Sequence, residues 1–315
     1  MTQTVSEQVT YPGARGPDRT RYVDSWGIRI SVHEWGDESA RPLMLAHGGF
    51  DFSRTYDVFA PLLADAGWRV VAWDHRGHGD SEHAPLYSWE ADTRDAISVF
   101  DSTTYDPVPV VGHSKGGNML LQMSEILPHR MWRMVIIDGM PSPRRHLEVV
   151  GHERTRMLEE GMRNWLTHRR AIATLQRKAG SLDELAKRRG RMNPRLSHEW
   201  LRYLVTVGAR HDSDGWRWKI DPQLRFGGFG PWRHSWSLQA MNALSMPVLG
   251  ILGTEQEDMG WGITPEQIRP FVPSNVRLEV FEGTGHFIHI EKPREVAEMV
   301  LDFLDGERLF GASTS

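Results

Sequence analysis

The chain of 315 residues contains no cysteine. This absence excludes a disulfide framework, a thiol nucleophile and a thiolate metal site, and it fits a reducing compartment. The formal net charge is only −4, which argues against a general affinity for nucleic acid or for an anionic membrane surface. The first 20 residues contain no continuous apolar run, so we expect neither a signal peptide nor a membrane span. We therefore expect a cytoplasmic protein that binds neither membranes nor nucleic acid.

Phosphate-binding loops and metal-ligand clusters are missing from the sequence as well. The glycines at 48–49 and at 77 and 79 lack the spacing of a nucleotide-binding loop. No group of histidines and carboxylates shows the spacing of a metal site. The sequence thus predicts chemistry by side chains alone, with no cofactor and no metal.

The most informative motif that is present is Gly112-His113-Ser114-Lys115-Gly116, which follows an apolar segment and precedes a helical one. A serine between two glycines at a strand-to-helix turn is a nucleophile elbow. The bend holds the serine in a strained backbone conformation, and the glycines leave room for the neighbouring chain. We therefore predict that Ser114 is the nucleophile.

Three further motifs stand at the C-terminal ends of apolar segments that we predict to be strands. They are H-G-G at 47–49, D-x-R-G-H-G-x-S at 74–81 and G-x-G-H-F at 283–287. With the elbow, G-H-S-x-G-G, they follow the order found in the α/β-hydrolase family, which the chain resembles over residues 20–140 and 243–305. The resemblance implies an α/β fold, with a mostly parallel, doubly wound sheet and a mainly helical cap inserted after strand 6.

The apolar segments support this organisation, because strands and helices alternate along the chain. We expect a core at 20–140 and 243–306, a cap at 141–242, and flexible termini at 1–19 and 307–315. The predicted strands are 28–35, 43–46, 68–73, 108–112, 134–138, 248–253 and 277–281. The predicted helices are 52–66, 89–100, 115–127 and 293–304.

The predicted cap differs from the core in composition. Arginines are dense within 144–210, which predicts a solvated helical face, with recognition of an acidic substrate as the alternative. Several aromatic residues form either the core of the cap or an apolar wall of the substrate pocket. These are Trp216, Trp218, Phe226, Phe229, Trp232 and Trp236.

The hydroxyl of a free serine is a poor nucleophile at neutral pH and needs a base. The resemblance assigns this role to His286, because the family places its catalytic histidine in a tight turn after the last strand. It gives His47 and His113 structural roles beside the oxyanion loop and the elbow. We expect His289 to have a packing or surface role.

The acid that orients the base is not fixed by the sequence. Family members most often place it in the loop after the seventh strand, but the corresponding position here is Gln256. The other placement in the family, directly after the sixth strand, coincides with Asp138. We therefore favour Asp138, with the loop carboxylates Asp258, Glu257 and Glu255 as alternatives.

These assignments imply acyl transfer through a covalent intermediate. The backbone N–H groups of Lys115 and of Gly49, or alternatively Phe50, would bind the oxyanion. We expect the Lys115 side chain to form an internal salt bridge with a cap or loop acid, the alternative being a substrate carboxylate.

The predicted substrate is a small or medium carboxylic ester or lactone. The sequence leaves open whether this substrate carries an anionic or aromatic group. The alternatives are a C–C bond hydrolase of ring-fission products and a ligand-binding relative with slow turnover. Epoxide hydrolases and haloalkane dehalogenases of this fold are disfavoured, because they carry an aspartate where this chain has Ser114. The oligomeric state is left open.

Overall fold

The structure is a computed structural model that describes residues 9–141, 152–172, 177–224, 234–258, 260 and 263–306. A sheet of eight strands forms its centre, and a separate two-stranded hairpin lies in the cap. The sheet strands are β1 (Arg19–Ser25), β2 (Ile28–Trp35), β3 (Pro42–Ala46), β4 (Arg69–Trp73), β5 (Val108–His113), β6 (Met131–Ile137), β9 (Val248–Gly253) and β10 (Val276–Phe281). The cap strands are β7 (Ala209–Asp212) and β8 (Gly215–Trp218).

The sheet has the order β1-β2-β4-β3-β5-β6-β9-β10. Of its described strands, β2 alone runs antiparallel to the others. The predicted mostly parallel sheet is thereby confirmed. The sequence analysis missed β1, because this edge strand buries only Val23 and Ser25 and has no continuous apolar run.

Helices cover both faces of the sheet, as a doubly wound fold requires. The helices in chain order are α1 (Phe59–Asp65), α2 (Trp89–Asp101), α3 (Lys115–Ile126), α4 (His152–Ile172), α5 (Leu182–Met192), α6 (His198–Gly208), α7 (His234–Ala243), α8 (Pro265–Ile268), α9 (Ile288–Glu291) and α10 (Pro293–Asp305). Side chains of β3 alternate between two apolar clusters. Met44 packs in the cluster that contains α2, α3 and α7, whereas Leu43 packs in the cluster that contains α1 and α10. None of the described helices has the length and apolar character of a membrane span.

The cap follows β6, as predicted, and consists of α4, α5, α6 and the β7–β8 hairpin in its described part. In its apolar cluster, Trp200 and Leu204 of α6 pack with Leu185 of α5, and the core residues Phe52 and Phe287 belong to the same cluster. The core resumes slightly earlier than the predicted residue 243, because Ala240 and Met241 of α7 belong to the cluster on the main sheet.

The N-terminal segment differs from the predicted flexible terminus at 1–19. From residue 9 onward it packs on the protein: the Tyr11 and Trp200 ring centroids are 5.0 Å apart. The Arg15 backbone N–H donates to Asp57 O at 2.8 Å, and Trp35 Nε1 donates to Arg15 O at 2.9 Å. These partners are distant in sequence, so no local pattern reveals them. Residues 1–8 and 307–315 lie outside the described residues.

A buried ion pair connects α2 to the turn after β4. The Arg76 guanidinium donates to both carboxylate oxygens of Asp95, each at 2.6 Å, and the two side chains are 3% and 0% exposed. Ser25 Oγ donates to the same carboxylate at 2.6 Å. The pair holds the turn of the D-x-R-G-H-G-x-S motif against the sheet.

We expect Asp95→Ala to lower the free energy of unfolding by about 3–5 kcal/mol, because it leaves the buried guanidinium of Arg76 without its carboxylate. Urea denaturation followed by circular dichroism would measure the loss. Asp65→Ala is the matched control, because Asp65 pairs with Arg15 in solvent and should contribute at most about 1 kcal/mol. Equal losses in the two variants would contradict the structural role of the buried pair.

Candidate active site

Ser114 lies at the sharp turn between β5 and α3. Its φ of 52° and ψ of −119° are unfavourable for a residue with a side chain. Two backbone hydrogen bonds hold this conformation: Ser114 N–H donates to Ile137 O at 2.9 Å, and Ser114 O accepts from Gly117 N–H at 3.1 Å. Ser114 thus has the strained backbone predicted for an elbow.

The glycines of the elbow allow the helix to start very close to the sheet. A Cβ at Gly112 would lie 2.5 Å from the Cα of Gly117, and a Cβ at Gly116 would lie 2.2 Å from Ala46 O. Both distances are too short for a real side chain. The prediction that these glycines make room for neighbouring backbone is confirmed.

His286 and Asp138 meet at the same edge of the sheet. The register His113↔Ile137 between β5 and β6 makes Ser114 and Asp138 the first residues beyond two neighbouring strands. His286 follows β10, and its Nδ1 hydrogen-bonds Asp138 Oδ2. The His286 ring is 3% exposed. The carboxyl ends of parallel strands thus bring His286 to Asp138, one strand away from Ser114.

The loop carboxylates take other positions. Glu257 Oε2 accepts the backbone N–H of His286 at 2.6 Å, so it contacts the main chain of this residue. Burial raises the pKa of Glu257, and the hydrogen bond from His286 opposes the shift. Glu255 and Asp258 are exposed, and Glu255 lies 3.9 Å from Arg195. Among the described carboxylates that the sequence offered, the structure places Asp138 on the imidazole.

The loop after β3 carries two of the predicted oxyanion donors, Gly49 and Phe50, and the third, Lys115, begins α3. His47 Nδ1 donates to Gly48 O at 2.7 Å. Because the peptide bond is trans, the N–H of Gly49 points to the opposite side of that peptide. Phe50 N–H donates to His78 Nε2 at 3.2 Å, so this amide is already engaged. The N–H of Lys115 has no partner within its own helix, because Lys115 is the first residue of α3.

His47 and His78 are held as neutral rings with defined hydrogen-bond roles. His47 Nε2 accepts the His75 backbone N–H at 3.0 Å, which leaves Nδ1 as its donor. His78 Nδ1 donates to Arg76 O at 2.9 Å, which leaves Nε2 as its acceptor. Burial lowers the pKa of His47 well below its ordinary value and that of His78 to about 3.

The rings of His113 and His289 pack close to His286. His113 Nε2 donates to the backbone carbonyl of His286 at 2.9 Å, which matches the structural role expected for His113. The His289 ring centroid is 4.6 Å from that of His113. His289 is fully buried, and neither of its ring nitrogens has a hydrogen-bond partner in the described part of the chain. His289 is therefore a packing residue, which is one of the two roles expected for it.

Comparison with known proteins identifies the family. A family model described as the alpha/beta hydrolase fold matches residues 41–293. The chain belongs to the α/β-hydrolase family. This membership agrees with the sheet order, the elbow and the position of His286.

Individual relatives of this α/β hydrolase are distant. It is 24% identical to a serine hydrolase-like protein of Dictyostelium discoideum over 301 residues, which cover 90% of this chain and 80% of that protein. It is 27% identical to an esterase of Mycobacterium tuberculosis over 282 residues, covering 88% and 86%. The solved thioesterase domain from the curacin biosynthetic pathway aligns with a TM-score of 0.76 at 20% identity, covering 90% and 99%.

The side chain of Lys115 is already paired in this α/β hydrolase. Its ammonium lies 2.5 Å from Asp92 Oδ2, and the two side chains are 13% and 4% exposed. It also lies 5.7 Å from the ring centroid of Trp89. The predicted internal salt bridge is confirmed, but the acid lies on core helix α2 rather than in the cap or a loop.

Asp74 has a structural role in the turn after β4. Its Oδ1 accepts from the N–H and Oγ of Ser53 at 2.7 and 2.6 Å, and its Oδ2 accepts from Asp80 N–H at 2.7 Å. His33, Asp74 and Asp80 have ligand atoms within 4.8 Å of one another. Asp80 also forms an ion pair with Lys219 at 2.7 Å.

Arg189 is a cap arginine whose side chain contacts the core. Arg189 of α5 is 8% exposed, and its Nη1 donates to Phe50 O in the oxyanion loop at 3.0 Å. The expectation that the cap arginines form only a solvated face therefore does not hold for Arg189. The sequence offered no signal for it, since Arg188 and Arg191 beside it have the same residue type.

Two of the aromatic cap residues can be placed. The Trp218 ring centroid lies 6.3 Å from that of Phe52, and the Trp216 ring centroid lies 5.1 Å from that of His211. Both tryptophans are half-buried. Phe226, Phe229 and Trp232, and the side chain of Trp236, lie outside the described residues.

Because several histidines are buried as neutral rings, we predict that the free energy of unfolding falls in acid. An unfolded histidine binds a proton near pH 6.5, whereas burial lowers the pKa of His289 to about 3. Between these values the unfolded state binds more protons, so stability falls as the pH is lowered from 6.5. We expect His289→Leu to reduce this slope by up to about 1.4 kcal/mol per pH unit. Urea denaturation at pH 4 to 7 would measure it, with exposed His129→Leu as the control; equal slopes in both variants would contradict the assignment.

Proposed function

We propose that this α/β hydrolase cleaves a carboxylic ester or lactone by acyl transfer through Ser114. The observation that carries the proposal is the hydrogen bond between His286 and Asp138 beside the elbow. A histidine whose Nδ1 is held by a carboxylate keeps Nε2 as the acceptor for a hydroxyl proton. Asp138 then stabilises the imidazolium that forms after the proton transfer. The nucleophile, base and acid are Ser114, His286 and Asp138.

The first half-reaction forms an acyl-enzyme. His286 Nε2 takes the proton of Ser114 Oγ as this oxygen attacks the ester carbonyl, whose oxygen becomes the oxyanion. The N–H groups of Gly49 and Lys115 bind the oxyanion, each contributing about 3 kcal/mol to the lowered barrier. Collapse of the intermediate breaks the bond to the alcohol oxygen, which takes the proton from His286.

The second half-reaction uses water in place of the serine. His286 deprotonates the water as it attacks the acyl carbon, and the proton passes to Ser114 Oγ when the acyl–serine bond breaks. The enzyme returns to its starting state, with a carboxylic acid and an alcohol as products. We choose Gly49 over Phe50 as the second donor, because Phe50 N–H already donates to His78.

The relatives support an ester as the substrate, since one is an esterase and one is serine hydrolase-like. The Lys115 side chain gives no support for an anionic substrate, because Asp92 neutralises it. An aromatic group on the substrate stays a prediction. It rests on six aromatic side chains of the cap, and four of these lie outside the described residues.

We expect Ser114→Ala to lose nearly all hydrolysis, on the order of 10³-fold or more in kcat, while it keeps its fold. The measurement is release of p-nitrophenol from esters between acetate and decanoate. Ser39→Ala, in an exposed loop, is the control and should match the wild type. Ester hydrolysis retained by Ser114→Ala would overturn the mechanism, and negligible turnover by the wild type would overturn the choice of an ester.

We expect Asp138→Asn to lower kcat by about 10²- to 10⁴-fold, because an amide no longer stabilises the imidazolium. Glu257→Gln should cost less than about tenfold, since its amide oxygen still accepts the His286 backbone N–H. Glu255→Gln and Asp258→Asn serve as controls in the same loop. A larger loss in Glu257→Gln than in Asp138→Asn would transfer the acid role to Glu257.

A further inference from the structure

Three consecutive peptide groups of the oxyanion loop are each held by a different side chain. His47 holds the carbonyl of Gly48, and His78 accepts the N–H of Phe50. The third contact is the one from Arg189 to the carbonyl of Phe50. The two histidines belong to the core, whereas Arg189 belongs to the cap.

Phe50 requires such support because its φ is 56°. A bulky non-glycine residue in this region is strained, and it stays there only when the surrounding structure holds it. His78 holds the peptide before Phe50, and Arg189 holds the peptide after it. The N–H of Gly49, the proposed oxyanion donor, belongs to the peptide that His47 holds. Only the Cα of Gly49 separates this peptide from the one that His78 holds, so the strained turn at Phe50 directly adjoins the donor.

The environment of Arg189 suits a fixed guanidinium. Its Nη2 lies 3.7 Å from Asp51 Oδ2, and the Asp51 side chain is 1% exposed. The guanidinium carbon lies 5.8 Å from the ring centroid of Phe287, the residue after His286. An arginine with a carbonyl, a carboxylate and an aromatic ring as neighbours has little rotational freedom.

From this geometry we infer that Arg189 is a positioning residue, through which the cap holds the oxyanion loop in its active conformation. It acts on the Phe50 peptide and through it on Gly49, with no contact to substrate required. The inference rests on the proposed function, because it concerns the same oxyanion hole. The inference implies that the contact of Arg189 with Phe50 makes catalysis in the core depend on the position of the cap.

The test compares Arg189→Met, which cannot donate a hydrogen bond, with Arg189→Lys, which keeps the positive charge and a hydrogen-bond donor. Arg191→Met is the matched control, because Arg191 lies on the same helix and is exposed. Activity is expressed per Ser114 site that a fluorophosphonate labels at end point, so that unfolded protein does not count. The double variant Asp51→Asn/Arg189→Met guards against misfolding, because it leaves no unpaired carboxylate.

We expect Arg189→Met, and the double variant, to lower kcat per labelled site by about 10- to 100-fold, the effect of a displaced catalytic group, with little change in KM. Arg189→Lys should recover much of the loss, and Arg191→Met should match the wild type. An unchanged kcat per site in Arg189→Met would overturn the inference, even if its melting temperature falls. A raised KM with unchanged kcat would also overturn it and assign Arg189 to substrate binding. A wild type that is neither labelled nor active on esters would overturn the proposed function itself, a failure visible before any variant is compared.

Discussion

The close approach of the first turn of α3 to the sheet is the constraint on which the site depends. Gly116 allows this turn to contact the end of β3, and Gly112 allows it to contact β5. Ser114 therefore stands between two neighbouring loops. A Cβ at Gly48 would lie 3.3 Å from the Cβ of Ser114, and one at Gly139 would lie 2.5 Å from Ser114 O. A side chain at Gly139 would displace the backbone of Ser114, and one at Gly48 would clash with the His113 ring, whose Nδ1 would lie 2.8 Å from its Cβ.

Buried neutral imidazoles provide the second element of the site. A neutral histidine has one donor and one acceptor, so each ring can connect two backbone groups in a fixed direction. His47 connects Gly48 to the turn after β4, and His78 connects Phe50 to that same turn. Burial keeps these rings uncharged, because it disfavours the protonated form. The loop that carries the proposed oxyanion donor is therefore tied to the motif that the Arg76–Asp95 pair holds in place.

Local sequence signals were sufficient for seven of the eight described sheet strands and for the elbow. The strands Ile28–Trp35 and Val248–Gly253 have the predicted bounds, because their apolar runs end at turn residues. The glycines around Ser114 indicated the elbow for the same local reason. For the acid the sequence left four candidate carboxylates, and only the fold shows that Asp138 contacts the His286 ring whereas Glu257 contacts its backbone N–H.

Features that depend on contacts between distant segments could not be predicted. The pairing of Lys115 with Asp92 and the inward position of Arg189 both rest on charges brought together by the fold. β1 and the segment from residue 9 to 18 have no strong periodicity and are fixed by partners elsewhere in the chain. The sequence pattern therefore predicted candidate site residues, but it did not predict the long-range contacts that hold the segments around them.

The central claim is that Ser114 is a nucleophile activated by His286 and Asp138. The most direct measurement is the intact mass of the protein after treatment with a fluorophosphonate, followed by peptide mapping of the adduct. We expect one adduct per chain, located on Ser114 and formed much more slowly when Asp138 is replaced by asparagine. An unmodified Ser114, or an adduct on another residue, would contradict it.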